Sequence, residues 1–154
     1  MCIRDSNTLV LFNYIEKHGT PLYDLINNNV DDARKVFFVH GGTEVEDREE
    51  VRKITETESN AVIVASYGTF STGINIKRLH NIIFASPSKS RIRNLQSIGR
   101  VLRKGEGKDM ATLYDIADDI GGQNYTLKHL NERVNIYNDE NFRYEVIKVN
   151  LRAN

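Results

Sequence analysis

Short apolar runs recur along the chain, with room for a helix between one run and the next. Thr8-Leu9-Val10-Leu11-Phe12, Val36-Phe37-Phe38-Val39, Ala61-Val62-Ile63-Val64-Ala65, Ile82-Ile83-Phe84-Ala85 and Ala111-Thr112-Leu113-Tyr114 are the five. They lack the alternation of a half-exposed strand and have the pattern of strands covered on both faces. Leu22-Tyr23-Asp24-Leu25-Ile26 has helical character, and a longer helix is predicted from Glu44 to about Glu58. Thr43 and Glu46 have the spacing of a capping box at its start, and Val45, Val51 and Ile54 supply an inner face. Strand and helix in repetition predict an α/β fold, with a mainly parallel central sheet and helices on both faces. Ligands of such sheets lie beyond the carboxyl ends of the strands, so the residues after each run are the ones to inspect.

After Asp119 the pattern changes. Gly121-Gly122 interrupts the chain, Tyr125 to about Asn138 reads as a polar helix, and Phe142 to Val149 alternates as a last, edge strand. This divides the chain into 8–120, the main domain, and 121–154, a helix and strand packed on the same domain. Residues 1–7 have no apolar signal core and do not lead into the first strand, so they are read as a truncated or artefactual start.

Composition adds bounds. A chain of 154 residues suffices for one domain with a proper core, and its 40% hydrophobic and 27% charged residues are the balance of a soluble globular protein. With 21 basic and 21 acidic residues the net charge is +0, so only its distribution can point to a partner. Cys2 is the sole cysteine, which excludes an intrachain disulfide framework and suits a reducing interior. No apolar run approaches the ~20 residues of a membrane span.

Two segments carry candidate chemistry. In Gln96-Ser97-Ile98-Gly99-Arg100-Val101-Leu102-Arg103, on a helix predicted from Ser88, the side chains of Arg93, Gln96, Arg100 and Arg103 fall within an arc of roughly 80°. Leu95, Ile98, Val101 and Leu102 take the opposite side. Such a polar face can be merely solvated. Three guanidiniums and an amide also suit planar hydrogen bonding to phosphate, and the pattern leaves both readings open. The second segment, Ser66-Tyr67-Gly68-Thr69-Phe70-Ser71-Thr72-Gly73-Ile74-Asn75, places hydroxyls and glycines at a strand's carboxyl end. It reads either as a polar turn before a helix or as a cradle for phosphate and sugar.

Together the segments resemble the C-terminal RecA-like domain of superfamily 2 helicases. Ser71-Thr72-Gly73-Ile74-Asn75 is similar to motif V, and Gln96-x-x-Gly99-Arg100-x-x-Arg103 is similar to motif VI. Asn13 and His40-Gly41-Gly42 are similar to motif IV and its neighbouring His-Gly motif. Within the superfamily the chain resembles the phage UvsW-type DNA helicases, through Tyr-Gly-Thr-Phe-Ser-Thr-Gly-Ile-Asn, Gly-Arg-Val-Leu-Arg-Lys and Tyr114-Asp115-Ile116-Ala117-Asp118-Asp119. The resemblance implies a RecA-like three-layer sandwich and a role as one half of an ATP-dependent helicase or translocase, with ATP and Mg2+ held mainly by an upstream N-terminal RecA-like domain. It implies Arg103 as arginine finger, Arg100 on the γ-phosphate, and Gln96 coupling the ATP cleft to nucleic acid. Gly73 and Asn75 would line the ribose side of that cleft, and Asn13, His40, Gly41 and Ser66 would meet the nucleic-acid backbone. DNA, in branched or recombination intermediates, is the implied substrate, with RNA left open, and a (host) cytoplasm the implied location. Two departures stand out. The stretch from Ser66 to Gly73 is one residue longer than in many relatives, and Asn75 stands where many have Asp.

Other features carry less. There is no G-x-x-x-x-G-K-[ST] phosphate loop, and Gly105-Glu106-Gly107-Lys108-Asp109 has neither its spacing nor its hydroxyl. The chain alone is therefore expected to hydrolyse nothing. Asp139-Glu140-Asn141 lacks the apolar strand that precedes an acidic magnesium box. Asp115, Asp118 and Asp119 read as a solvated loop, and His18, His40, His80 and His129 show no ligand spacing, so no metal site is assigned. From Lys77 to Lys108 the basic residues Lys77, Arg78, Lys89, Arg91, Arg93, Arg100, Arg103, Lys104 and Lys108 face a single acid, Glu106. This local excess can take up phosphates, and the absence of interleaved aromatics favours backbone tracking over base readout. Two alternatives compete with the motor reading: a non-catalytic nucleic-acid-binding α/β module, and a small-molecule α/β enzyme, for which no nucleophile–base pair is found.

Overall fold

A computed structural model describes residues 6–71, 76, 78–86, 111–121 and 124–150. Among the described residues five strands form one sheet: β1 (Thr8–Phe12), β2 (Val36–Val39), β3 (Val62–Ser66), β4 (Asn81–Phe84) and β5 (Thr112–Asp115), in the order β2-β3-β1-β4-β5. Every pairing is parallel. The helices among the described residues are α1 (Thr20–Asn29), α2 (Val45–Thr57), the short α3 (Tyr67–Ser71) and α4 (Tyr125–Asp139). A single π-helical turn (Ile15–Gly19) leads from β1 into α1.

Side chains of period two sort the strands onto two cores. Leu9, Leu11, Val39, Ile63, Ala65, Ile82 and Phe84 face one side, where Val51 of α2 and Val134, Ile136 and Tyr137 of α4 cover them. Val10, Phe12, Val62 and Val64 face the other, under Leu22, Tyr23 and Ile26 of α1. The sheet is thus the middle of three layers, as the unalternated apolar runs predict. Its register aligns Val39, Ala65, Leu11, Phe84 and Asp115 in a row across all five strands. The residues just beyond that row make the carboxyl edge. The connection from β3 to β4 passes β1, so the chain changes direction across the sheet at its central strand, the usual place for a ligand crevice.

The amino edge is pinned by a buried amide. Asn7 is 0% exposed. Its Nδ2 donates to the carbonyls of Thr55 (2.9 Å), Glu58 (2.8 Å) and Arg78 (3.1 Å), and its Oδ1 accepts from the Ala61 N–H at 2.9 Å. One side chain therefore joins the end of α2 to the approaches to β3 and β4. Ser6 is buried beside it and accepts from Asn81 Nδ2 at 2.6 Å.

Four expectations are corrected. The capping box does not form: Glu44 is the N-cap, with no side-chain cap bond, and Thr43 Oγ1 instead accepts the His40 N–H at 3.0 Å. The α2 terminus relies on Glu46 and Asp47 in its first turn, where carboxylates complement the helix dipole. Val45 is 60% exposed and leaves the inner face of α2 to Val51 and the wholly buried Thr55, whose hydroxyl bonds back to Val51 O. Residues 142–150 form no strand, because no described strand offers them a ladder; Val146, Ile147 and Val149 are each 72% exposed. Asp115 does not belong to a solvated loop. It closes β5 on the face that α4 covers, and there it receives Arg133 and Tyr137.

That cluster explains why a helix of polar sequence packs on the core. Arg133, 2% exposed, donates through Nε to Asp115 Oδ2 at 2.7 Å and through Nη2 to Oδ1 at 2.8 Å, a planar two-point match. Tyr137 OH donates to Oδ2 at 2.6 Å. Burial, and then the adjacent Asp115 carboxylate, raise the Tyr137 phenol well above its ordinary range. At the start of α4, Asn124 Oδ1 accepts the Thr126 N–H at 3.1 Å as an N-cap, and Gly121 turns the preceding loop at φ +75, a left-handed conformation that suits glycine.

Candidate nucleic-acid interface

Because all five strands run in one direction, their ends gather Asn13, His40, Ser66, Ser86 and Asp115 along one edge. The structure therefore brings Asn13, His40, Gly41 and Ser66 onto a common edge, one each from the ends of β1 and β3 and two from the end of β2. Gln96, Arg100, Arg103, Gly73 and Asn75 lie outside the described residues, as do all of the basic excess except Arg78. Arg78 is exposed and donates through Nη1 to the Glu56 carbonyl at 3.1 Å.

Asn13, His40 and Ser66 are each held by a local bond. The Asn13 N–H donates to Ser86 Oγ at 3.0 Å, and Asn13 Nδ2 donates to the Ser86 carbonyl at 2.5 Å. This ties the carboxyl end of β1 to that of β4. At the end of β2, His40-Gly41-Gly42-Thr43 forms a tight turn in which the Thr43 N–H returns to the His40 carbonyl at 3.0 Å. The Gly42 N–H donates to His40 Nδ1 at 3.1 Å. An accepting Nδ1 places the proton of the neutral imidazole on Nε2. Phe38 supports the ring from below, with centroids 5.2 Å apart. Gly41 is exposed, and a side chain there would meet nothing within 4 Å, so its peptide is open to a ligand's approach.

Ser66 differs. It is 9% exposed, and its Oγ lies 2.7 Å from Thr69 Oγ1 while accepting the Thr69 N–H at 3.4 Å. Its hydroxyl thus caps α3. The described part of the Ser66–Asn75 segment is thus the end of β3 and the capped α3 that follows it directly. Among the described residues no group of three His, Cys, Asp or Glu side chains could hold a metal ion. The donors assembled on the edge are amides, hydroxyls, an imidazole and backbone N–H groups, a set that suits phosphate and sugar oxygens rather than a cation.

One residue of this edge is not singled out by the sequence patterns. Tyr14 follows Asn13 and is 63% exposed, with its ring edge-on to His18 at 5.7 Å and 69°. A single aromatic beyond a strand end gives no periodicity to notice; its position next to Asn13 is the only sequence signal.

The profile of the helicase conserved C-terminal domain matches residues 2–105. The ATP-dependent DNA helicase UvsW of Enterobacteria phage T4 is 40% identical over 161 aligned residues, which cover 96% of this chain and 31% of that protein. The crystal structure of T4 UvsW superposes with a TM-score of 0.70, covering 90% of this chain and 30% of that one. Domain 2 of the DEAD-box helicase Mss116p, solved bound to an RNA duplex, reaches a TM-score of 0.60 at 15% identity, with 73% of this chain and 43% of that one covered. The C-terminal part of the Fun30 ATPase domain reaches 0.59 at 19% identity, with 82% and 38% covered. The last two likenesses speak for the fold alone, which is RecA-like. The chain spans under a third of the length of its phage relative.

Proposed function

The chain belongs to the helicase conserved C-terminal domain family, and on that premise we propose that it is the second RecA-like half of an ATP-dependent DNA helicase or translocase. What carries the reading is the 40% identity to a DNA helicase sustained over 96% of the chain. In this proposal Asn13, His40 and Gly41 meet the backbone of a nucleic-acid strand lying across the carboxyl edge, DNA by preference. Ser66 acts on that strand through the turn it caps, since its hydroxyl is already engaged. Branched or recombination DNA is the proposed substrate and a (host) cytoplasm the proposed setting. No helix among the described residues is long and apolar enough to cross a membrane.

ATP and Mg2+ would be held mainly by a partner N-terminal RecA-like domain. To that shared cleft this chain would contribute the guanidiniums of Arg100 and Arg103, whose planar donors match phosphate oxygens. Arg103 is the proposed arginine finger, Gln96 couples the cleft to the nucleic-acid edge, and Gly73 and Asn75 approach the ribose. Closing and reopening the cleft would shift the backbone contacts of one domain relative to the other, which is how cyclic closure becomes movement along a strand.

The test is nucleic-acid-stimulated ATPase in the protein that includes the N-terminal domain, comparing native Arg103 with Arg103→Ala. A loss of turnover of about 10²-fold or more, with nucleic-acid binding retained, is expected. Unchanged turnover would sink the arginine-finger assignment and leave the non-catalytic binding module as the better account.

A further inference from the structure

We propose that the ring of Tyr14, with His18 packed edge-on to it, is a stacking platform for an unpaired base of the strand that crosses the carboxyl edge, an inference that rests on the nucleic-acid reading above. The platform sits directly after β1, the central strand, where the chain changes direction across the sheet. Its immediate neighbour, Asn13, is tied to Ser86, so the ring projects from an anchored position.

The turn beneath it is closed by its own backbone and seated on the core. The Tyr14 carbonyl accepts two N–H groups, from His18 at 3.0 Å and from Gly19 at 2.9 Å, which closes the π-helical turn. A Cβ on Gly19 would lie 2.5 Å from the ring of Phe12, itself wholly buried. Only glycine lets the turn settle this close to the core, and that approach sets His18 against Tyr14. An isolated π-helical turn of this kind is frequent at functional sites.

Exposure and surroundings favour a base over a protein surface. Tyr14 is 63% exposed, and its flanking side chains Asn13, Glu16, Lys17 and His18 are polar, with only Ile15, at 38%, apolar beside it. Protein docking calls for a contiguous apolar patch. A single flat ring among polar groups, held in place before binding, is what a base needs to stack on, and stacking of this kind is tolerant of sequence. The edge would then hold a strand by two means: amide, imidazole and backbone N–H groups on the phosphates, and one ring on a base.

The experiment is a fluorescence-anisotropy titration of the full chain with a labelled oligothymidylate and with the same strand carrying abasic residues, for the native protein, Tyr14→Ala and Tyr14→Phe. Tyr14→Ala should weaken binding to oligothymidylate by about tenfold, a typical loss for one stacked base. It should leave the abasic strand unaffected, and Tyr14→Phe should keep native affinity on both. Thermal unfolding of Tyr14→Ala should match the native chain, since the ring is mostly exposed. Native-like binding of oligothymidylate by Tyr14→Ala would overturn the platform and spare the nucleic-acid reading. Equal weakening on both strands would overturn stacking in favour of a backbone contact. A native chain that binds neither strand would overturn the nucleic-acid reading and the platform with it.

Discussion

Replacing Asp115 by alanine should be among the most damaging single changes in the described fold. Arg133 is 2% exposed and Asp115 10%, and the two meet in a two-point contact at 2.7 and 2.8 Å, largely away from solvent. The Nη1 of Arg133 is buried without a hydrogen-bond partner among the described residues, so Asp115 is the counter-charge on which the guanidinium depends. Removing one partner of a buried pair costs about 3–5 kcal/mol, because the remaining charge is stranded. Tyr137 loses its acceptor as well. Against a total stability of roughly 5–15 kcal/mol for a domain, that is a large fraction. Followed by far-ultraviolet circular dichroism in urea, with a slope of about 2 kcal/mol per molar, the midpoint should fall by about 2 M.

A double variant separates charge from packing. Asp115→Leu with Arg133→Met removes both ions and keeps apolar volume between β5 and α4. Because a buried pair repays little of its own desolvation, the double variant should lie within about 2 kcal/mol of the native chain, far above Asp115→Ala. A midpoint for Asp115→Ala within about 0.5 M of native would refute the stranded-charge reasoning. It would mean that water or another group reaches Arg133 when the carboxylate is gone.

Three further outcomes follow from the same packing. Gly19→Ala should cost about 1–3 kcal/mol in urea unfolding, as overpacking does, because its Cβ would enter the Phe12 ring; Phe12→Leu in the same chain should recover part of the loss. Asn7→Ala should cost at least about 3 kcal/mol, since it leaves the buried Ala61 N–H unpaired and frees three carbonyls from their shared donor, whereas Lys35→Ala, which loses the half-exposed pair with Glu58, should change stability by less than about 1 kcal/mol. The Tyr137 phenol is raised in the folded state, so above about pH 10 an unfolded chain loses that proton while the folded chain keeps it. Stability from this residue is thus fully present below about pH 10 and declines as pH rises further, and Tyr137→Phe should flatten the alkaline limb of a stability–pH curve; an unchanged limb would count against the assignment.

The strands were the most legible part of the fold, because burial on both faces leaves an uninterrupted apolar run. Thr8–Phe12 and Val36–Val39 have the bounds that their sequence predicts. The other three are displaced by one residue, to end at Ser66, begin at Asn81 and end at Asp115. In each case the added residue is polar and belongs to the ladder through its backbone, which hydropathy does not register. The same blindness accounts for the failed edge strand at Phe142–Val149. Alternation describes a segment that can be a strand, whereas a ladder needs a partner at the right place in the sheet. Asp115 and Arg133 escaped for a related reason, as did Asn7, which the sequence reading sets aside with residues 1–7 and the structure buries: each is a polar group made tolerable in the interior by partners at least 18 residues away. Local pattern assigns such residues to the surface.

The site divides along a different line. Asn13 and His40 are legible because they follow strands and match short motifs, and the parallel sheet sets both on one edge. What local pattern misses is how thoroughly the edge is tied to itself. Asn13 is bonded to Ser86, His40 to Gly42 and Thr43, and Ser66 to Thr69. A contact surface whose polar groups already hold one another loses little freedom when a strand arrives, which is the physical content of preorganisation. Among the groups such an edge still offers a strand are the Nε2 side of His40, the exposed peptide of Gly41, and the ring of Tyr14. These differ in kind. His40 and Gly41 offer hydrogen-bond donors to a phosphate, so His40→Ala should weaken binding to a base-bearing strand and to an abasic strand by the same factor. Tyr14 offers a face to a base, so its loss should weaken binding to the base-bearing strand alone. Titrating the native chain, His40→Ala and Tyr14→Ala against the two strands therefore distinguishes the two roles. A Tyr14→Ala loss on the abasic strand equal to that of His40→Ala would place the ring on the backbone after all.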